Sequence, residues 1–132
     1  MGPERLKYAY IWSDLLDLGV PLATGTDYSV SPYNPFYTLH AAVTRQDREN
    51  NPPGGWIPEQ ALTREVALRA ATLGGAYAMH GEEILGSIEV GKLADFVVIP
   101  VDYMAVPAED IWKIEPDMTI IGGEVVYAKP VG

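Results

Sequence analysis

The residue pattern changes character at Gly86. Before it, apolar residues recur at helical spacing in three stretches, broken by one short apolar run. After it, branched apolar residues gather in short runs bounded by glycine and proline. A chain in that order is expected to fold as α/β first and as a small antiparallel sheet last, with a boundary between residues 1–85 and 86–132.

Residues 3–18 are expected to form one helix. Pro3 suits a first turn, Leu6, Tyr10, Leu15, Leu16 and Leu18, with Trp12 less regularly, make an apolar side, and Gly19 is a natural stop. Residues 20–23 are too short and too apolar for an exposed element, so they read as a buried strand. This run ends on Thr24-Gly25-Thr26-Asp27 and breaks into a loop containing Pro32 and Pro35. A second helix is expected over 35–45, with Phe36, Leu39 and Val43 on one side. The polar stretch 45–57, with Asn50-Asn51-Pro52-Pro53-Gly54-Gly55, is a long loop that serves either as a lid or as a plain surface excursion. A third helix is capped by Thr63, carries Glu65 in its first turn and repeats Leu62, Val66, Ala70, Leu73 and Tyr77. Gly74-Gly75 is expected to weaken or bend it before it ends near His80-Gly81. Beyond Gly86, residues 93–100 read as a strand, and 118–121 and 125–127 flank Gly122-Gly123-Glu124 as a hairpin.

At 132 residues the chain can close one modest core but has about half the length of a (β/α)8 barrel. Its 48% hydrophobic and 20% charged content is that of a globular domain rather than a disordered one. A net charge of -9 without any basic run argues against a nucleic-acid partner. No stretch is long enough to cross a bilayer, and the N-terminus has no apolar signal core, so a cytoplasmic protein without a membrane partner is expected. The absence of Cys excludes disulfides, thiolate metal sites and cysteine nucleophiles.

Few motifs carry chemistry. Gly86-Ser87-Ile88-Glu89-Val90-Gly91-Lys92 fits the spacing of a phosphate loop, but Leu93 stands where a hydroxyl would hold magnesium. The segment also leads into a strand instead of a helix, so it reads as a turn. Asp27, His40 and His80 together would reach the three ligands of a catalytic zinc, but they lack ligand spacing. The two histidines read as helix-surface or helix-end residues, His80 near a helix C-terminus. No G-x-S-x-G elbow is present, and Glu82-Glu83 and Glu109-Asp110 read as solvated faces. Asp27, at the end of an apolar run, is the best candidate for an active-site acid; a turn aspartate with a purely local role is the competing reading.

Several stretches, taken in order, resemble the amidohydrolase superfamily of metal-dependent hydrolases, nearest to the branch that includes N-substituted formamide deformylases. Residues 19–27 resemble that family's last barrel strand with its terminal aspartate, and Pro58-Glu59-Gln60-Ala61-Leu62-Thr63 is similar to the lead-in to the next helix. Residues 86–99 resemble the return into the family's small β-sandwich, and Ile121-Gly122-Gly123-Glu124-Val125-Val126-Tyr127 its closing hairpin. The resemblance implies a C-terminal piece of a (β/α)8 barrel followed by part of a β-sandwich. Asp27 would be both metal ligand, zinc most commonly, and the catalytic group that takes a proton from the attacking water. The family's other metal ligands match no position of this sequence.

Two functional expectations follow. In the first, the chain is a segment of an enzyme that hydrolyses amide-type C–N bonds of small molecules, and it is inactive and metal-free when alone. In the second, it is a free-standing, non-catalytic module that buries uncovered strand edges by forming a homo-oligomer.

Overall fold

The computed structural model describes residues 2–130. The first stretch holds two short helices, α1 (Pro3–Leu6) and α2 (Trp12–Asp17), where one helix over 3–18 was expected. The break falls at Tyr10, whose backbone is left-handed (φ 56°) and whose ring meets the edges of Trp12 and Trp56 at 6.0 and 5.8 Å. The new helix start at Ile11 has no side-chain cap of its own. Gln60 supplies it from a distant part of the chain: its Oε1 accepts from Ser13 N–H (2.9 Å) and Asp14 N–H (3.3 Å), and its Nε2 donates to Asp14 Oδ1 (2.7 Å). At the other end, Gly19 (φ 75°) closes α2 as expected. Gly19 N–H reaches Leu16 C=O and Val20 N–H reaches Leu15 C=O, the paired bonds of a Schellman cap.

Residues 20–26 run extended but are not the buried strand expected from their composition. Val20 is exposed, and among the described residues no strand pairs with this run. It lies against the long third helix, with Thr24 N–H donating to Ala70 C=O at 3.1 Å. A strand is defined by its ladder partner, so apolar composition could give the extended backbone without giving the pairing.

Helix α3 (Pro35–Thr44) matches the expected one. Asn34 Oδ1 accepts from Phe36 N–H (2.9 Å) and Pro35 occupies the first turn. The third expected helix is observed as α4 (Arg64–Arg69), a π-turn (Ala70–Gly74) and α5 (Gly75–Ala78) in unbroken succession. Thr63 caps it, accepting from Val66 N–H. The α-helical pattern is interrupted by the π-turn that ends at Gly74, and Gly74 lets the helix approach the extended run, because a Cβ there would lie 2.1 Å from Leu22 C=O. His80 ends the helix in the left-handed region (φ 57°), with Gly81 N–H bonded to Ala76 C=O and His80 N–H to Tyr77 C=O.

The second stretch contributes an antiparallel meander, β1 (Phe96–Val98), β2 (Met118–Ile121) and β3 (Glu124–Ala128), in the order β1-β2-β3. The strand expected over 93–100 is thus shorter than read. The Gly122-Gly123 turn has positive φ at both positions, as a two-residue hairpin requires. Asp95 fastens it: its carboxylate accepts from Gly122 N–H at 2.7 Å, and Ala94 C=O accepts from Gly123 N–H. The register shifts between Thr119 and Ile120, leaving one extra residue, Val126, on β3.

Both stretches feed one core. Phe36, Leu39 and Ala42 of α3 pack with Leu62 and Ala67, and from beyond Gly86 come Tyr103, Ile111 and Ile114. Ile111 lies within, and Ile114 directly after, a 3-10 segment (Ala108–Lys113) laid on α3. Arg64 ties the same region down, donating to the backbone carbonyls of Tyr103 and Val106. Among the described residues no helix is long and apolar enough to cross a membrane.

Candidate functional site

Asp27 sits where the extended run turns into the loop before α3. Its backbone is left-handed (φ 50°), a conformation that aspartate tolerates better than most side chains. Its C=O accepts from Val30 N–H at 2.6 Å, so residues 27–30 form a tight turn. The side chain is exposed. Asp27 is thus an exposed acid at the end of that run.

Residues on both sides of Asp27 in the chain, but not Asp27 itself, line a cleft of about 660 Å3, within the range of small-molecule sites. Its walls come from residues 22–25, from Tyr37 and Thr38 of α3, and from Gln46 to Arg48. Asp27 stands just past the 22–25 wall. The loop 45–57 is neither a free lid nor a loose excursion, because its two ends are clasped. Trp56 N–H donates to Arg45 C=O (2.9 Å), and Arg45 Nε donates to Trp56 C=O (3.0 Å). Between them Gln46 Nε2 donates to the carbonyls of Asn50 and Pro52, and Asp47 Oδ1 accepts from the N–H groups of Glu49 and Asn51. Closed ends and a packed interior make this a fixed Ω-loop.

Arg45 is the centre of the clasp. It is only 6% exposed, and its guanidinium lies 4.3 Å from the Trp12 ring centroid and 5.0 Å from that of Trp56. Burial lowers its pKa, with the carboxylate of Glu59 opposing. Its Nη2 is buried without a hydrogen-bond partner, so the two ring faces carry much of the compensation for that charge. Gly55 makes the arrangement possible, since a Cβ there would sit 2.4 Å from Thr44 C=O.

His40 was expected on a helix surface and is instead 1% exposed. It lies on the core side of α3, where Nε2 pairs with Asn50 Oδ1 at 3.1 Å; with an acceptor there, the proton is on Nε2. That bond fixes the Ω-loop to the helix. His80 is exposed at its helix C-terminus, as read from the sequence. The structure does not bring Asp27, His40 and His80 together: among the described residues no three His, Asp or Glu side chains gather as a metal site. Gly86 and Gly91 are turn glycines with positive φ, and the segment between them forms no phosphate cradle before a helix.

The fold is that of solved amidohydrolases. The crystal structure of an amidohydrolase from Thermotoga maritima MSB8 superposes with a TM-score of 0.65 at 22% identity, covering 91% of this chain and 26% of that one. The sequence carries the same assignment further, because residues 1–127 match the profile of the amidohydrolase family, and the chain belongs to that family. YtcJ of Bacillus subtilis (strain 168), itself named for the family, is 29% identical over 129 residues, 98% of this chain and 24% of YtcJ. N-substituted formamide deformylase of Arthrobacter pascens is 29% identical over 126 residues, 96% of this chain and 22% of the enzyme. The chain therefore spans about a quarter of the length of the curated relatives it matches. Equal identity to these two proteins supports the family and singles out no branch within it.

Proposed function

We propose that the chain is the C-terminal segment of a metal-dependent amidohydrolase that hydrolyses amide-type C–N bonds of small molecules, and that Asp27 is the carboxylate it supplies to the active site. The observation that carries this reading is the continuous family match through Asp27, at the point where an extended run breaks into an exposed turn. Residues 1–85 would be the last helix-strand-helix portion of a (β/α)8 barrel and 86–132 part of the β-sandwich that follows it. Active-site groups of such barrels lie at the C-terminal ends of the strands, and Asp27 follows residues 20–26, the run that would be such a strand in the whole barrel. The deformylase-like branch is our preferred assignment within the family, and the cytoplasm our preferred location.

A resident zinc needs three or more protein donors. Asp27 is one, and no others gather with it among the described residues, so the side chains present do not by themselves fit a metal. With its own atoms Asp27 can accept a proton from a water or an amine, and its exposure leaves it free to do so. On its own the chain is an inactive part of an active site.

A chimera tests this directly. This chain replaces the matching part of the Arthrobacter pascens deformylase, and formamide hydrolysis is followed with and without Asp27→Asn. The expected result is a folded, active chimera whose Asp27→Asn form loses a factor of about 100 or more. A folded Asp27→Asn chimera as active as its parent overturns the role of Asp27.

A second reading, a non-catalytic module that self-associates, is favoured by one observation: every residue of β3 is exposed, with Val125, Val126 and Tyr127 at 57%, 58% and 46%.

A further inference from the structure

We infer that Arg48 is a specificity-determining residue of the cleft, selecting amide substrates whose amine portion carries a carboxylate. The inference deepens the hydrolase reading and rests on it. Arg48 and Tyr37 line one part of the cleft, and Thr24 and Gly25 another. Gly25 is two residues before Asp27, so their Cα atoms lie within about 7 Å of each other. A cavity of small-molecule size thus has a cation on its lining and the candidate acid close to another of its walls.

The seat of Arg48 is built from three stretches of this chain. Its guanidinium carbon lies 4.8 Å from the Tyr37 ring centroid, and that ring meets Trp112 of the 3-10 segment at 6.4 Å. The loop that carries Arg48 is held by Gln46 and Asp47 through its own backbone, and by His40 through Asn50. A cation seated on a ring by a fixed loop has less freedom to lose when a ligand binds.

The chemistry of the seat names the ligand. Arg48 is the one Lys or Arg on the cleft lining, and among the described residues its guanidinium is in no ion pair. Asp47, the neighbouring charge, engages Oδ1 with the amides of Glu49 and Asn51. A guanidinium set over a ring uses its face and leaves its N–H edge for a planar anion, and a carboxylate matches that edge with two parallel bonds. One cation beside one aspartate suits a singly charged carboxylate rather than a phosphate dianion. A formyl group offers no attachment point, so in a deformylase-like reaction the carboxylate belongs to the amine portion.

The chimera with the Arthrobacter pascens deformylase tests this with N-formyl-β-alanine and its methyl ester, which share a scaffold and differ in charge. The chimera is expected to hydrolyse the acid with a lower KM than the ester. Arg48→Met is expected to raise KM for the acid about tenfold or more, with kcat and the ester kinetics nearly unchanged. Arg48→Lys, which keeps the charge without the fork, is expected to fall between, and circular dichroism confirms that each form is folded. Equal KM for acid and ester, or an Arg48→Met loss shared by both substrates, overturns the role of Arg48 and leaves the hydrolase reading standing. A folded chimera that hydrolyses neither substrate overturns the hydrolase reading, and the inference falls with it.

Discussion

Replacing Arg45 by Met keeps most of the side-chain stem and removes the charge, so it isolates what the cation contributes to the Ω-loop. The substitution loses the Nε–H bond to Trp56 C=O, worth about 1.5–3 kcal/mol for a charged donor. It also loses the two ring contacts at 4.3 and 5.0 Å, together about 1–2 kcal/mol. Against this, it relieves the buried, unpartnered Nη2, which costs about 1–3 kcal/mol. The balance is a destabilisation of about 1.5 kcal/mol, and with a urea slope of about 1.5 kcal/mol/M the midpoint falls by about 1 M. Arg45→Ala loses the stem packing as well and falls further. Tryptophan fluorescence is a suitable probe because Trp12 and Trp56 are the rings against the guanidinium. Hydrogen exchange at Trp56 N–H, which donates to Arg45 C=O, reports the loop itself and is expected to speed up more than exchange at Leu62 N–H, which bonds to α3. A Met variant with an unchanged midpoint and unchanged Trp56 exchange would refute the idea that the charge closes the loop.

Two further outcomes follow from single positions. Gly74→Ala drives a Cβ into Leu22 C=O and is expected to cost about 1–3 kcal/mol, whereas Gly75→Ala meets nothing within 4 Å and is expected to stabilise by about 0.5–1 kcal/mol; calorimetry on the pair separates close approach from helix propensity. Tyr103 has its pKa raised above 10.0, first by burial, with Arg64 opposing and Glu65 adding. The folded state therefore holds the phenol proton more tightly than the unfolded state, so this contribution is complete below the ordinary phenol pKa and is lost as pH rises beyond it. Urea midpoints are expected to fall above about pH 10, with a shallower fall in Tyr103→Phe.

The elements legible in the sequence are those whose signals are local. Asn34-Pro35 starts α3, Thr63 starts α4, and Gly122-Gly123 turns the hairpin, each through atoms within three residues of the feature it sets. What the sequence hid depends on distant partners. Gln60 caps α2 across more than forty residues, and nothing near Ile11 announces a helix start. Tyr10 leaves the helical region to meet Trp56, which no periodicity can foresee. Residues 20–23 have the composition of a buried strand, but among the described residues no strand pairs with them. His40 falls on the buried side of α3 because Asn50 returns to it from the Ω-loop. The surroundings of the cleft divide the same way: the place of Asp27 at the end of an apolar run is a local feature of the sequence, while the clasp of Arg45 between two tryptophans is not. An arginine just after a helix, followed eleven residues later by Trp56, is the faint signal that could have suggested it.

Zinc titration of the isolated chain by calorimetry, with the Asp27→Ala form alongside, tests most directly whether this chain carries one acid of an active site without carrying the metal site. The expected result is no saturable binding tighter than about millimolar in either form, since a single exposed carboxylate leaves the other coordination positions to water. Sub-micromolar binding that disappears in Asp27→Ala, accompanied by hydrolysis of a formamide, would contradict it.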